Sequence, residues 1–283
     1  MNFLQTFEPN PIAFAWGPIT VYWYGIFLAI GSLLAVVITI HLANHAHLPV
    51  NKLIDWLFLI LVIGFLGARL YHVLNEPAYY WENPDEIIKI WHGGLAIHGG
   101  LIAGLLVLWL GARKMKVPLL KLTDVMVPGL ILAQAIGRWG NYFNQELFGR
   151  PTDLPWGILI NPSLRPPGYE AGNFFHPAFL YEFVIDLIGF FILWYLIKKA
   201  HSASSFFNTT GITTSLYFII YGLGRFIAEI FRIDPTPSLL GLRLPLIISI
   251  FIILVGATML RMLRKRTRLA QTTANDYTQE GFS

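Results

Sequence analysis

The chain has 283 residues, 55% of them hydrophobic and only 13% charged, with a mean hydropathy of +0.58. That balance lies far from the roughly one-quarter charged content of soluble domains, so the sequence reads as an integral membrane protein. The net charge of +4 comes from basic residues grouped beside apolar runs, a pattern that fits lipid headgroups rather than nucleic acid, and the absence of cysteine excludes disulfides, thiolate metal sites and a cysteine nucleophile within the chain.

The first eighteen residues, MNFLQTFEPNPIAFAWGP, lack a basic start and an unbroken apolar core, so they are expected to remain in the mature protein. A spanning helix needs about 20 mainly apolar residues. On that basis seven spans are predicted, at roughly 21–42, 53–74, 94–112, 118–136, 177–197, 212–231 and 244–260. Lys121 and Asp124 interrupt the start of the fourth. No internal repeat of the transporter kind is evident.

Lys and Arg in the short loops set the expected orientation. Lys52, then Arg113, Lys114, Lys116 and Lys121, then Lys198 and Lys199, and finally Arg261 to Arg268 mark one side as cytoplasmic. The other side then holds the N-terminus, the acidic stretch Glu76 to Glu86, a long loop 137–176 between spans four and five, and the Arg232–Leu242 connection. The fold class is therefore all-α with seven transmembrane helices, N-terminus outside and C-terminus cytoplasmic. A transmembrane domain over 1–265 and a polar, disordered cytoplasmic tail over 266–283 are expected.

Ionisable groups inside a bilayer cost several kcal/mol by order of magnitude, so those present are functional candidates by default. Arg69 nears the outer end of the second span, and His98 lies in the glycine-flanked run HGGLAIHGG of the third. Tyr181 and Glu182 open the fifth. In the sixth, Tyr221, Arg225 and Glu229 share one helical face, being spaced i, i+4, i+8. Arg225 and Glu229 either neutralise each other or serve a site. Arg138 and Asn141 lie within GRWGNYFNQELFGR, at 137–150, and would share a face of any helix continuing the fourth span.

Bland alternatives apply to several of these groups. His98 also fits an interhelical hydrogen bond, and the glycines around it also fit close helix packing. His41, His45 and His47 read as a solvated interfacial cluster with no further metal ligand. Asp124 and Asp186 suit either structural hydrogen bonding or support of a site.

Two guanidiniums in one cavity suit a phosphate, since each donates bidentate hydrogen bonds and stays charged at low dielectric. At that depth a phospholipid headgroup is the natural phosphate. A lipase would need an activated serine elbow, which is missing, and metal-assisted headgroup exchange would need more outward-facing aspartates.

GRWGNYFNQELFGR, HGGLAIHGG, HPAFLYE at 176–182, YGLGRFIAEIFR at 221–232 and the early Trp23-Tyr24-Gly25 together resemble the prolipoprotein diacylglyceryl transferases of bacterial cytoplasmic membranes. The motifs occur in family order and cover most of the chain. The resemblance implies a cofactor-free, metal-free enzyme of the inner membrane. It would move the diacylglyceryl group of phosphatidylglycerol onto the lipobox cysteine of a preprolipoprotein, forming a thioether and releasing glycerol 1-phosphate.

It also implies catalytic roles for His98, Arg225, Glu146 and Tyr24, and substrate binding by Arg138, Asn141, Gly149, Tyr221 and Glu229. His98 or an arginine-held phosphate oxygen would take the thiol proton. Family members often carry a Gln shortly before a Ser in the last span. Here the run is Leu244-Pro245-Leu246-Ile247-Ile248-Ser249, so no role for that Gln transfers. A lipid or anion transporter, and a noncatalytic scaffold, are the rival readings.

Overall fold

The computed structural model describes residues 3–17, 19–200 and 209–280, with side chains described over 4–17, 19–199 and 209–267. In chain order, α1 (Phe3–Thr6) leads to a hairpin of β1 (Ile12–Trp16) and β2 (Ile19–Tyr22), then α2 (Trp23–His45), α3 (Val50–Asn75), the short α4 (Pro77–Glu82), α5 (Ile97–Met115) and α6 (Leu119–Phe143). The two-residue strands β3 (Ile158–Leu159) and β4 (Phe174–Phe175) pair before α7 (Ala178–Ala200) and α8 (Ile212–Phe231). A second small hairpin, β5 (Ser238–Leu239) and β6 (Leu242–Arg243), precedes α9 (Leu244–Glu280).

Among the described residues, seven helices are long and apolar enough to cross a membrane: α2, α3, α5, α6, α7, α8 and the first part of α9. In none of them is more than 39% of the most apolar stretch buried within the protein. Side chains such as Leu28, Phe58, Phe191 and Phe251 face outward, as expected where lipid replaces a protein core. The chain is thus an all-α, multi-pass membrane protein.

Two differences from the sequence reading concern element ends. The fourth spanning helix runs to Phe143, seven residues past the predicted 136, so that Arg138 and Asn141 are helical. The last helix continues to Glu280, along polar residues whose composition alone predicts disorder; residues 281–283 of that tail lie outside the described residues.

The chain divides into two compact units, Ile40–Leu122 and Met1–Thr39 with Thr123–Ser283. In the first, α3 and α5 pack through small residues. A Cβ on Gly99 would lie 2.9 Å from the carbonyl carbon of Gly67, and one on Gly111 would lie 2.8 Å from the Trp56 ring. Only hydrogen at these positions lets the two helices approach this closely.

The loop joining α3 to α5 is gathered around Arg69. Its guanidinium donates to the carbonyls of Ile87 (3.0 Å), Gly93 (2.6 Å), Gly94 (2.9 Å) and Glu86, and it lies over the Tyr80 ring. Farther along this loop Lys89 pairs with Asp85 and Glu86, and Glu86 with His92. The hydrogen bond from Lys89, and after it that from His92, holds the Glu86 carboxyl below the usual carboxylate range.

In the other unit, glycines again permit close crossings. A Cβ on Gly129 of α6 would lie 2.6 Å from the Ala35 carbonyl oxygen on α2, and one on Gly256 of α9 would lie 2.7 Å from that of Ser215 on α8. Asp124, in the first turns of α6, resolves as a structural group. It accepts from Gly211 N (2.5 Å), Thr214 N (2.8 Å) and Thr214 Oγ1 (2.6 Å), so it satisfies backbone donors that the start of α8 leaves open.

The segment between α6 and α7 has a core of its own, in which Phe148, Ile158, Ile160 and Phe175 pack with Tyr142 and Phe179. Gln145, at φ 51°, ties this core to the N-terminal segment, donating to Pro9 O (2.9 Å) and accepting from Asn161 N (2.7 Å).

Candidate functional site

Arg138, three residues before Asn141 on α6, is turned toward α7, where Glu182 waits one turn into the helix. Arg138 Nη2 lies 2.7 Å from Glu182 Oε2, and Arg225 Nη1 on α8 donates to both Glu182 oxygens, at 2.8 and 2.9 Å. The two arginines that the sequence reading placed in one cavity therefore meet at a single carboxylate that is 3% exposed. Arg225 and Glu229 do not chiefly neutralise each other: their closest approach is 3.5 Å, and the hydrogen bonds of Arg225 go to Glu182.

Glu229, also fully buried, has its strongest contact from outside α8. Arg243 Nε donates to Glu229 Oε1 at 2.6 Å, while Arg232 Nε stands 3.6 Å from Oε2. Arg232 itself grips both oxygens of Asp234, at 2.8 and 3.0 Å, and reaches to 4.0 Å from Glu182. Four guanidiniums and the carboxylates of Glu182, Glu229 and Asp234 thus form one continuous network. Asp186, one turn past Glu182, is also buried.

Among the described residues, six buried side-chain polar atoms lack a hydrogen-bond partner. Five of them belong to this region: Arg138 Nε, Arg232 Nη1, Arg243 Nη2, Glu229 Oε2 and Asp186 Oδ2. Buried donors are rarely left unpaired, since each costs about 1–3 kcal/mol. Arg243 Nη2 already faces Asp234 Oδ1 at 3.6 Å, whereas the Arg138 and Arg232 N–H groups in this buried network suit an anionic oxygen ligand.

The other expected residues take distinct places in the same unit. Asn141 Nδ2 donates to Glu146 Oε1 at 2.8 Å, joined by Asn144 Nδ2 at 3.3 Å, so two amides aim an otherwise exposed carboxylate. Tyr24 lies against Gly140, where any side chain would strike its ring. Tyr221 stacks on Tyr217 with ring centres 5.7 Å apart, and Tyr217 exchanges hydrogen bonds with Gln134.

Gly149 is required by packing, because a Cβ there would lie 2.7 Å from His176 Cβ and 3.1 Å from Phe231 O. Its N–H donates to His176 O at 2.8 Å, and Arg150 N donates to Phe231 O at 2.9 Å. The extended strip after Glu146 is in this way pinned between the end of α8 and the entry to α7.

His98 belongs to the other unit, at the start of α5, exposed and with its ring 5.9 Å from that of Tyr71. Arg69 in that unit is committed to backbone carbonyls and serves the loop. The rings of His41 and His45 stand 4.7 Å apart, edge to face, and they and His47 are exposed.

Four members of the network were not named as site residues from the sequence. Glu182 was visible as an intramembrane carboxylate. Arg232 continues the face of Arg225 and Glu229 at i+7, which its spacing alone signals. Asp234 and Arg243 give no local signal, since a hairpin brings Arg243 to Glu229 from 14 residues away.

Beside the network runs an apolar groove of about 570 Å³, lined by residues including Leu180, Ile185, Ile227 and Phe231. Its polar edge is a chain of hydrogen bonds in which Trp156 Nε1 donates to Tyr181 Oη (3.0 Å) and Tyr181 Oη meets His176 Nδ1 (2.8 Å). Burial pushes the His176 imidazole below its ordinary value.

Seven apolar helices, with a buried arginine–carboxylate network on α6, α7 and α8, define a multi-pass membrane protein with a polar site built into its helices. The chain belongs to the prolipoprotein diacylglyceryl transferase family, whose model matches residues 11–262. It is 42% identical to a phosphatidylglycerol–prolipoprotein diacylglyceryl transferase of Synechococcus elongatus over 89% of this chain and 87% of that one. A protein of the same name from Parasynechococcus marenigrum is 38% identical over 95% and 99% of the two chains, and one from Staphylococcus aureus is 38% identical over 89% and 88%.

Proposed function

We propose that this protein is a phosphatidylglycerol–prolipoprotein diacylglyceryl transferase. It moves the diacylglyceryl group of phosphatidylglycerol to the lipobox cysteine of a preprolipoprotein and releases glycerol 1-phosphate, the first step of lipoprotein maturation. The observation that carries this reading is the pair of guanidiniums, Arg138 and Arg225, that meet on the buried Glu182, in a network where Arg138 Nε and Arg232 Nη1 hold no hydrogen bond. A phosphodiester supplies the acceptors such donors need, and the apolar groove alongside suits acyl chains.

In the reaction the substrate thiolate attacks the carbon of the diacylglyceryl group that bears the phosphate ester. A C–S bond forms, the C–O bond breaks, and the electron pair leaves with the phosphate, whose second charge develops beside Arg138 and Arg225. One preorganised donor supplies about 3 kcal/mol to such a transition state. His98 takes the thiol proton, since the thiolate is the nucleophile. Glu146, aimed by Asn141 and Asn144, orients the headgroup together with Tyr24, Tyr221 and Glu229, while Gly149 pins the strip that follows Glu146.

The loop charges support an N-terminus outside, a cytoplasmic C-terminus with residues 266–283 as its tail and the 144–177 segment outward, and the bacterial relatives support residence in the bacterial cytoplasmic membrane. Purified protein with phosphatidylglycerol and a lipobox peptide tests the reading. The peptide should gain one diacylglyceryl group by mass as glycerol phosphate appears, whereas a transporter would move lipid without modifying the peptide. Near-normal release by Arg225→Ala or His98→Ala would overturn those role assignments.

A further inference from the structure

Glu229 is surrounded by three guanidiniums, yet only one hydrogen-bonds to it. Arg243 Nε holds Oε1 at 2.6 Å, while Arg225 Nη2 and Arg232 Nε stand 3.5 and 3.6 Å from Oε2, too far for good hydrogen bonds. Arg243 is delivered by the β5–β6 hairpin, whose Leu240–Gly241 turn has positive φ at both residues, 53° and 76°. That turn geometry matches the twist of the two strands and fixes their register, with Ser238 opposite Arg243. A second hydrogen bond, from Arg243 Nη1 to Asp234 O at 3.0 Å, locks the guanidinium in place, and Asp234 is gripped in turn by Arg232.

We propose that Arg243 is a positioning residue for the phosphate site, acting through Glu229. By anchoring Oε1 it keeps this buried carboxylate from closing on Arg225. Arg225 then carries one full carboxylate partner, Glu182, and keeps its Nη2 edge for the phosphodiester anion of the lipid headgroup.

The alternative arrangement is close at hand. Glu229 is fully buried and must keep a hydrogen-bonded cation, because an unpaired charge at that depth is strongly disfavoured. If Arg243 is removed, the nearest donor is Arg225 Nη2, and a shift of less than about 1 Å makes that hydrogen bond. Arg225 would then be neutralised by two carboxylates and would bind an anion less well.

This inference rests on the phosphate reading of the site, and the experiment separates the two. Wild-type, Arg243→Gln and Arg243→Lys proteins are assayed with phosphatidylglycerol vesicles and a lipobox peptide, following glycerol phosphate release and the thermal midpoint. Absence of release by the wild type would sink the transferase reading itself. With an active wild type, Arg243→Gln is expected to raise KM for phosphatidylglycerol roughly tenfold, with a smaller change in kcat, the pattern of lost ligand binding. Arg243→Lys, which restores a cation for Glu229, should recover much of that loss. A purely structural role would lower the midpoint and the active fraction and leave KM where it was. An unchanged KM in Arg243→Gln would overturn the proposal, and should that variant not fold, a wild-type KM with no rescue gradient in Arg243→Lys and Arg243→Met would do the same.

Discussion

Glu182 takes the Arg225 guanidinium on both carboxylate oxygens while its Oε2 also lies 2.7 Å from Arg138. One buried anion therefore sets the spacing of two arginines that come from different helices, α6 and α8. A carboxylate in this position does two things. It makes two guanidiniums tolerable at a depth where either alone would be costly, and it holds their remaining N–H groups in fixed directions.

Replacing that shared anion should consequently affect folding as well as chemistry. Glu182→Gln keeps the shape but leaves Arg138 and Arg225 without a common counter-charge, and breaking a buried pair from one side costs about 3–5 kcal/mol. A fall of that size in unfolding free energy, read from denaturation in detergent, is expected alongside loss of transfer activity. A variant as stable as the wild type would show that the pairing is not structural.

Asp124 predicts the opposite combination. It caps α8 through Gly211 and Thr214, and Asp124→Ala strands those backbone donors in a buried place, at a cost of about 2 kcal/mol. The thermal midpoint should drop, whereas the turnover of the molecules that remain folded should match the wild type. A changed KM for phosphatidylglycerol in the folded fraction would place Asp124 in the site after all.

The seven spans were legible because lipid imposes a length and an apolar composition that few soluble segments share. Arg138, Arg225 and Glu229 were legible because charge inside such a segment stands out and helical spacing says which residues face together. What stayed hidden depends on backbone bends that no periodicity encodes. Arg69 reads as a site arginine until the loop 86–94 wraps its carbonyls around the guanidinium, and Arg243 reads as a loop charge until the Leu240–Gly241 turn folds it back on Glu229. Gly149 was legible as special, but the reason is its contact with His176 and Phe231, which lie on either side of it only in three dimensions.

His176 gives the protein a pH dependence with a definite sign. Burial lowers its folded-state value below the ordinary imidazole value near ~6.5, so the unfolded chain binds this proton more readily. Its contribution to stability is complete above about pH 6.5 and is lost as pH falls from there toward the lowered value. Thermal midpoints measured between pH 7.5 and 5 should therefore decline on the acid side, as an order-of-magnitude window set by that reference value. His176→Gln should flatten the decline, and an equal slope in both proteins would refute the assignment.

The pairing of Asn141 with Glu146 allows structure and chemistry to be separated. Asn141→Asp sets a second acceptor 2.8 Å from Glu146 Oε1, where the amide now donates, so the two carboxylates repel and Glu146 is driven from its present direction. Activity should fall by about 100-fold, within the usual range for one mispositioned group in a polar site. Adding Glu146→Gln restores a donor and an acceptor with their places exchanged, so the stability lost in the single variant should return. If the carboxylate acts through its position at 146, transfer should stay low in this double variant, since the negative charge has moved to 141. Recovery of both stability and transfer would mean instead that the hydrogen bond alone matters, and that Glu146 braces the strip leading to Gly149 and does not orient the headgroup.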